Sequence, residues 1–142
     1  MSLDEVTRLE IGSDVQIAGA RQAVREAAVA AGFSLVEQTK IVTAASELAR
    51  NTLVHGGGGH MELAVVENSG GRAIRLTFTD DGPGIPDVDA ALSDGYSTGN
   101  GLGLGLGGAR RLVQEFTIDS RPGGGTTVTA VAWSRTAQRV PR

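Results

Sequence analysis

The chain has 142 residues, a formal charge of −3 from 13 basic and 16 acidic side chains, no cysteine and two histidines. This charge leaves no basic excess for a nucleic-acid backbone, and the lack of cysteine excludes disulfides, thiolate metal sites and cysteine nucleophiles. No apolar run reaches the roughly 20 residues of a membrane span, and the N-terminus lacks a signal-peptide pattern. We expect one cytoplasmic domain over residues 1–142 with a frayed tail at 134–142, and neither a nucleic-acid nor a membrane partner.

The unusual feature of the composition is glycine, which accounts for 21 of the 142 residues. Most of these glycines fall in four clusters, within residues 56–59, 82–84, 95–108 and 123–125. The segments between the clusters show regular patterns of apolar residues, which indicates an ordered domain with glycine loops rather than a linker.

In chain order, the first predicted elements are a strand over Val6–Ile11 and a helix from Ser13 or Asp14 to about Ala31, ended by Gly32. Ser34 and Glu37 have the spacing of a capping box, which opens a second helix of about twenty residues that stops after His55. The predicted inner stripes are Val15, Ala18, Val24 and Ala28 on the first helix, and Leu35, Ile41, Ala45, Leu48 and Thr52 on the second.

Alternation of apolar residues predicts two strands, His60–Glu67 and Ala73–Thr79, joined by a hairpin loop over 68–71. Residues 80–102 show almost no periodicity and are predicted to form a long loop. A third helix is predicted from about Gly105 to Glu115.

Two further strands, Phe116–Arg121 and Thr126–Trp133, complete the predicted domain. Helices and strands do not alternate strictly, which disfavours a doubly wound parallel sheet. We therefore predict an α+β fold of two layers, with a mixed, mostly antiparallel sheet and helices on one face.

Glu47, Asn51 and His55 share one face of the second helix because they are four residues apart. The amide oxygen of Asn51 could bind Mg²⁺, which prefers oxygen ligands and retains waters and phosphate oxygens. Glu47 could orient or deprotonate a hydroxyl. The same face could also be an ordinary solvated helix surface.

The segment Asp80-Asp-Gly-Pro-Gly-Ile85 follows a predicted strand. A carboxylate at a strand end can accept a hydrogen bond from an exocyclic amine, and the glycines let the backbone approach a flat ligand. The same residues are also typical of an ordinary turn.

Alternating glycines in 101–108 precede the third helix and could offer backbone N–H groups to an anion. Residues 103–108 match G-x-G-x-x-G, but no strand precedes them, and the only lysine, Lys40, excludes a Walker motif. A flexible loop is the alternative. In Gly123-Gly-Gly-Thr-Thr127, a hydroxyl beside the glycine turn could reach a phosphate, or the segment could be a plain hairpin.

In this order and spacing, the four motifs resemble the GHKL ATPase/kinase superfamily over about residues 6–133. Within it, the segments Ser46–Asn51, Asp80–Pro86, Gly101–Leu106 and Gly125–Thr126 are most similar to the RsbT-type switch kinases. The resemblance implies the Bergerat α/β sandwich, with ATP and Mg²⁺ bound between the second helix and a mobile lid over 85–101.

The resemblance also implies site roles. Glu47 would be the general base or orient the hydroxyl, Asn51 would bind Mg²⁺, and Asp80 would accept from the adenine amine. The other implied nucleotide contacts are Gly82, Gly84, Gly101, Leu102, Gly103, Leu104, Gly105 and Thr126, with Thr127 as the alternative to Thr126. No role is implied for His55, and we assign none to glycines 56–59.

The implied function is an ATP-dependent serine/threonine kinase of a bacterial stress-signalling partner-switching module. Such a kinase phosphorylates a STAS-domain antagonist and, once released, activates a downstream phosphatase by binding it. Two alternatives stay open: an anti-sigma-factor kinase that binds a sigma factor directly, and a non-catalytic binding module regulated by nucleotide.

Overall fold

The computed structural model describes residues 6–68, 71–92 and 105–134, which contain five strands and four helices. The elements are β1 (Val6–Ile11), α1 (Asp14–Ala30), α2 (Leu35–Val54), β2 (Gly59–Asn68), β3 (Gly71–Asp80), α3 (Val88–Leu92), α4 (Gly105–Arg111), β4 (Glu115–Arg121) and β5 (Gly125–Trp133).

The five strands form one sheet in the order β1-β2-β3-β5-β4, and every neighbouring pair is antiparallel. The predicted hairpin is present, because Asn68 pairs with Gly71. The sheet is therefore antiparallel throughout rather than mixed, with β3 at its centre.

One face of the sheet packs against α1 and α2 and forms the core. Met61 and Phe78 are fully buried there beside Ile41 and Leu48 of α2. The opposite face carries polar side chains in register, among them the row Arg8, Glu62, Thr77 and Thr129. This arrangement confirms the predicted α+β fold with two layers and with helices on one face.

The capping box that opens α2 is present as predicted. Ser34 Oγ accepts from the Glu37 N–H at 3.1 Å, and Glu37 Oε1 accepts from the Ser34 N–H at 2.8 Å. These bonds satisfy N–H groups that the helix itself cannot pair. They fix the start of the helix that carries Glu47 and Asn51.

The predicted inner stripes were partly wrong. Val15 is 81% exposed and Ala18 is exposed, because the buried stripe of α1 begins at Ile17, the fourth residue of the helix. Leu35, the first residue of α2, is 73% exposed, and the ring of Phe33 just before the helix enters the core instead. The remaining predicted positions are buried: Val24, Ala28, Ile41, Ala45, Leu48 and Thr52.

Two predicted boundaries in the second half also change. The long loop contains the short helix α3, whose start is capped by Asp87 Oδ1 accepting from the Ala90 N–H at 3.0 Å. Five residues are too few to show a helical period in the sequence. The helix α4 ends at Arg111, because Glu115 already pairs with Val131 as the start of β4.

Ser134, where we expected a frayed tail to begin, is fully buried. Its N–H donates to the Arg72 carbonyl at 3.0 Å, and its hydroxyl donates to the Gly32 carbonyl at 3.3 Å. The end of β5 is thereby attached to the turn between α1 and α2, and the rest of the predicted tail lies outside the described residues. Across 6–68, 71–92 and 105–134, we find no helix with the length and apolar character to cross a membrane.

Candidate functional site

Asp80 is the last residue of the central strand β3 and is only 7% exposed. Its Oδ1 accepts from the Gly82 N–H at 2.8 Å. Within the described ranges, no protein group donates to its Oδ2. Because buried carboxylate oxygens normally have hydrogen-bond partners, this oxygen is suited to a donor on a ligand.

The strand register places two hydroxyls on the same row as Asp80. Thr126 of β5 pairs directly with Asp80, and Ser120 of β4 pairs with Thr126. Thr126 is 5% exposed, and its Oγ1 lies 2.9 Å from Ser120 Oγ. Thr127 pairs with Thr79 and points to the opposite face of the sheet, so Thr126 is the hydroxyl beside Asp80.

The loop after Asp80 is bound to the turn between β4 and β5. Ser120 Oγ accepts from the Ile85 N–H at 2.7 Å, and the Gly123 N–H donates to the Pro83 carbonyl at 2.8 Å. Gly84 has φ +82°, and a Cβ there would overlap the Arg121 carbonyl. The nearest neighbour of Gly84 is thus protein backbone. The lack of a side chain at this position allows the loop after Asp80 to pack against the end of β4.

Glu47 and Asn51 are both half-buried on α2, one helical turn apart. Glu47 Oε1 accepts from the N–H of Gly105 at 3.3 Å, where α4 begins with φ +69°. The Asn51 side-chain amide makes no hydrogen bond within the described part of the chain. His55 is exposed at the end of the helix and is not brought into this group.

The glycine run after α2 connects the helix residues Glu47 and Asn51 to Asp80. From the sequence alone, we assigned no role to this run. The Gly56 N–H donates to the Asn51 carbonyl at 3.3 Å, and Gly56 lies directly against the Asp80 carboxylate. A signal was available, since counting back along the β2–β3 hairpin places Gly59 opposite Asp80. The register of the predicted hairpin therefore places the glycine run near Asp80, without identifying Gly56 as the residue in contact.

Four of the predicted nucleotide contacts, Gly101, Leu102, Gly103 and Leu104, lie outside the described residues. Of that glycine-rich motif the structure describes residues 105–108, and Gly105 donates its N–H to Glu47. Among residues 6–68, 71–92 and 105–134, no group of three histidine or acidic side chains is positioned to hold a metal ion. A cation bound here would take most of its ligands from the bound substrate and from water. Asn51 is a candidate protein ligand.

The geometry therefore has two ends. One end offers a buried acceptor with hydroxyls beside it, which suits a flat heterocycle that carries an amine. The other end offers a carboxylate and an amide on one helix face, which suits a metal-bound phosphate chain and an attacking hydroxyl.

Comparison with known proteins shows the family of the chain. Residues 36–136 match the family of histidine kinase-, DNA gyrase B-, and HSP90-like ATPases. The chain is 39% identical over 133 residues to the serine/threonine-protein kinase RsbT of Bacillus subtilis (strain 168), covering 94% of this chain and 100% of that protein. It is 32% identical over 99 residues to an anti-sigma F factor of Bacillus licheniformis, covering 65% of this chain and 66% of that protein.

Solved structures with the same fold extend the comparison. The RsbU and RsbW domains of a Mycobacterium tuberculosis protein align with a TM-score of 0.64 at 24% identity, covering 99% of this chain and 35% of that one. The SiaB–SiaC complex of Pseudomonas aeruginosa aligns with a TM-score of 0.52 at 16% identity, covering 90% of this chain and 88% of that one. At these identities, the two structures support the fold alone.

The chain belongs to the histidine kinase-, DNA gyrase B-, and HSP90-like ATPase family. Within that family, it is a homologue of the serine/threonine-protein kinase RsbT over nearly its whole length. The predicted class, a serine/threonine kinase of the partner-switching kind, is thereby confirmed.

Proposed function

We propose that this protein transfers the γ-phosphate of ATP to a serine or threonine of a STAS-domain partner, with Mg²⁺ required, and that it activates a downstream phosphatase by binding it. The observation that carries the ATP site is the buried Asp80 Oδ2, which has no protein donor in the described part of the chain. The similarity to RsbT supports a protein as the phosphate acceptor. Use of ATP fits a cytoplasmic location.

At the base end, the Asp80 Oδ2 accepts from the exocyclic amine of adenine. The bond from the Gly82 N–H to Oδ1 keeps the carboxylate plane from rotating. Thr126 supplies a hydroxyl on the same row of the sheet, next to the base. Gly84 lets the loop after Asp80 lie close to β4, and Gly82 lets it lie close to Gly56.

At the phosphate end, Glu47 orients the acceptor hydroxyl of the partner and removes its proton as the phosphoryl group is transferred. Asn51 supplies an amide oxygen to the cation, one helical turn from Glu47. Mg²⁺ bound to the phosphates would neutralise the charge that develops during transfer. We propose that residues 101–105 contact the phosphates through their backbone N–H groups.

The two alternatives differ in their support. The anti-sigma F factor match covers 65% of the chain, against 94% for RsbT, which favours a STAS-domain partner over a sigma factor. A non-catalytic binding module would have no need for a carboxylate beside Asn51. Glu47 therefore favours catalysis.

The test is to incubate the protein with ATP labelled on the γ-phosphate, Mg²⁺ and the STAS-domain protein encoded nearest to it. We expect label on a serine or threonine of the partner, and none when EDTA removes the metal. A phosphoacceptor-site variant of the partner is the matched control. Nucleotide binding without transfer of label would favour the binding module, and capture of a sigma factor without any STAS protein would favour the anti-sigma kinase.

A further inference from the structure

Gly56, the first glycine after α2, is in direct contact with the carboxylate of Asp80. A Cβ built on Gly56 would lie 2.5 Å from Asp80 Oδ2, a separation that real Cβ atoms essentially never show. The affected atom is the carboxylate oxygen that no protein donor reaches within the described residues. A side chain at position 56 would therefore displace the oxygen that we assign to the base.

Gly82 closes the same contact from the other side. A Cβ on Gly82 would lie 2.7 Å from the Gly56 Cα and 3.1 Å from Asp80 Oδ1. The Gly82 N–H is also the donor to that Oδ1. The Asp80 carboxylate thus lies between two glycines. Its Oδ1 is hydrogen-bonded to Gly82, and its Oδ2 occupies space that a side chain at position 56 would fill.

The backbone of Gly56 does not itself require glycine, because its φ lies outside the left-handed range. Its neighbour Gly57 is the reverse case, with φ +76° and no atom within 4 Å of a built Cβ. Position 57 needs glycine for its backbone conformation, whereas position 56 needs it because of Asp80. The two adjacent glycines form a matched pair for experiment.

We propose that Gly56 is a positioning residue that determines the preference of this site for a 6-aminopurine nucleotide, by leaving the Asp80 carboxylate in the place where the amine meets it. The proposal rests on the proposed function, since it assumes that Asp80 binds the base. An amine donates to Oδ2, whereas a purine with a carbonyl at that position presents a second acceptor and is rejected. A shifted carboxylate loses this discrimination.

The experiment uses isothermal titration calorimetry to measure the affinities of MgATP and MgITP for three proteins: the wild type, Gly56→Ala and Gly57→Ala. Inosine carries a carbonyl where adenine carries the amine. We expect the wild type to prefer ATP by at least about tenfold, in line with a hydrogen bond to a charged acceptor. Gly56→Ala should lose most of that preference by weakening ATP alone, while Gly57→Ala should keep the preference although it unfolds at lower denaturant concentration.

A second measurement covers the case in which Gly56→Ala folds poorly. Asp80→Gly removes the three atoms nearest to the new Cβ, which are all side-chain atoms of Asp80. The cost of Gly56→Ala in denaturant midpoint should therefore disappear in an Asp80→Gly background, as a double-mutant cycle would report. An equal cost in both backgrounds would overturn the proposed contact.

The outcomes separate the two proposals. A wild type that binds ATP and ITP equally would contradict the adenine site and with it the proposed function. A wild type that prefers ATP, with the same preference in Gly56→Ala, would contradict only the role of Gly56. Equal weakening of both nucleotides by Gly56→Ala would mean general damage to the site and would also contradict that role.

Discussion

The two ends of the site are built by different means. At the Asp80 end, backbone packs on backbone: Gly84 lies against Arg121, and Gly125 lies against the Asp80 carbonyl. At the α2 end, the contact between helices α2 and α4 includes a side-chain bond, from the Gly105 N–H to Glu47. Substitutions at the first end should therefore change stability and affinity together, whereas substitutions at the second end should change turnover with little effect on folding.

The largest effect is expected at the α2 end, from Glu47→Gln. The amide oxygen can still accept from the Gly105 N–H, but it cannot take a proton, so phosphoryl transfer should fall by about 10²- to 10⁴-fold. Single-turnover transfer to the STAS partner measures this, with ATP affinity and denaturation midpoint as controls. A loss of folding stability equal to that of a glycine variant at the Asp80 end would remove the distinction between the two ends.

At the Asp80 end, we expect Gly84→Ala to be destabilising by about 3 kcal/mol, since it combines a left-handed backbone with an overlap on the Arg121 carbonyl. Gly123→Ala is the matched control, because it has φ +73° but open space around the new Cβ, and should cost only about 1 kcal/mol. Guanidinium denaturation of both variants measures the difference. Equal costs would mean that loop packing contributes nothing beyond backbone conformation.

A smaller effect than that of Gly84→Ala is expected from Ser120→Ala. This change removes the acceptor of the Ile85 N–H and the partner of Thr126, at a cost of about 1–2 kcal/mol in stability. ATP affinity should weaken as well, because the loop after Asp80 loses a hydrogen bond that holds it to β4. Ser134→Ala is the control. It removes a hydroxyl that donates to the Gly32 carbonyl in the turn between α1 and α2, and it should reduce stability without changing ATP affinity. The same affinity loss in both variants would contradict a specific role for Ser120.

The sequence predicted well where local signals and tertiary packing agree. The Ser34 and Glu37 spacing located the start of α2, and alternation located β2 and β3, including the hairpin between them. Predictions were wrong where burial depends on a neighbour distant in sequence. Leu35 fits the apolar helix pattern, but Phe33 occupies the core, and no periodicity distinguishes these two choices.

For the site, the sequence identified residue types but not what surrounds them. Asp80, Glu47 and Asn51 were named from motifs, and the choice between Thr126 and Thr127 needed the strand register. Gly84 was expected to make room for a ligand, yet its nearest neighbour is the backbone of β4. Gly56 was passed over because a glycine run between a helix and a strand resembles any connection, and only the folded chain shows which of its glycines contacts Asp80.

The central position of β3 has a consequence for the thermodynamics of binding. β3 pairs with β2 over its whole length and with β5 from Ala73 to Asp80, so the strand that ends in the buried carboxylate is paired on both sides. Because Asp80 is already held in place before a ligand arrives, binding does not have to order this residue. Little conformational entropy is therefore lost at this end of the site on association. The Asp80 end of the site is in this sense preorganised by the sheet itself.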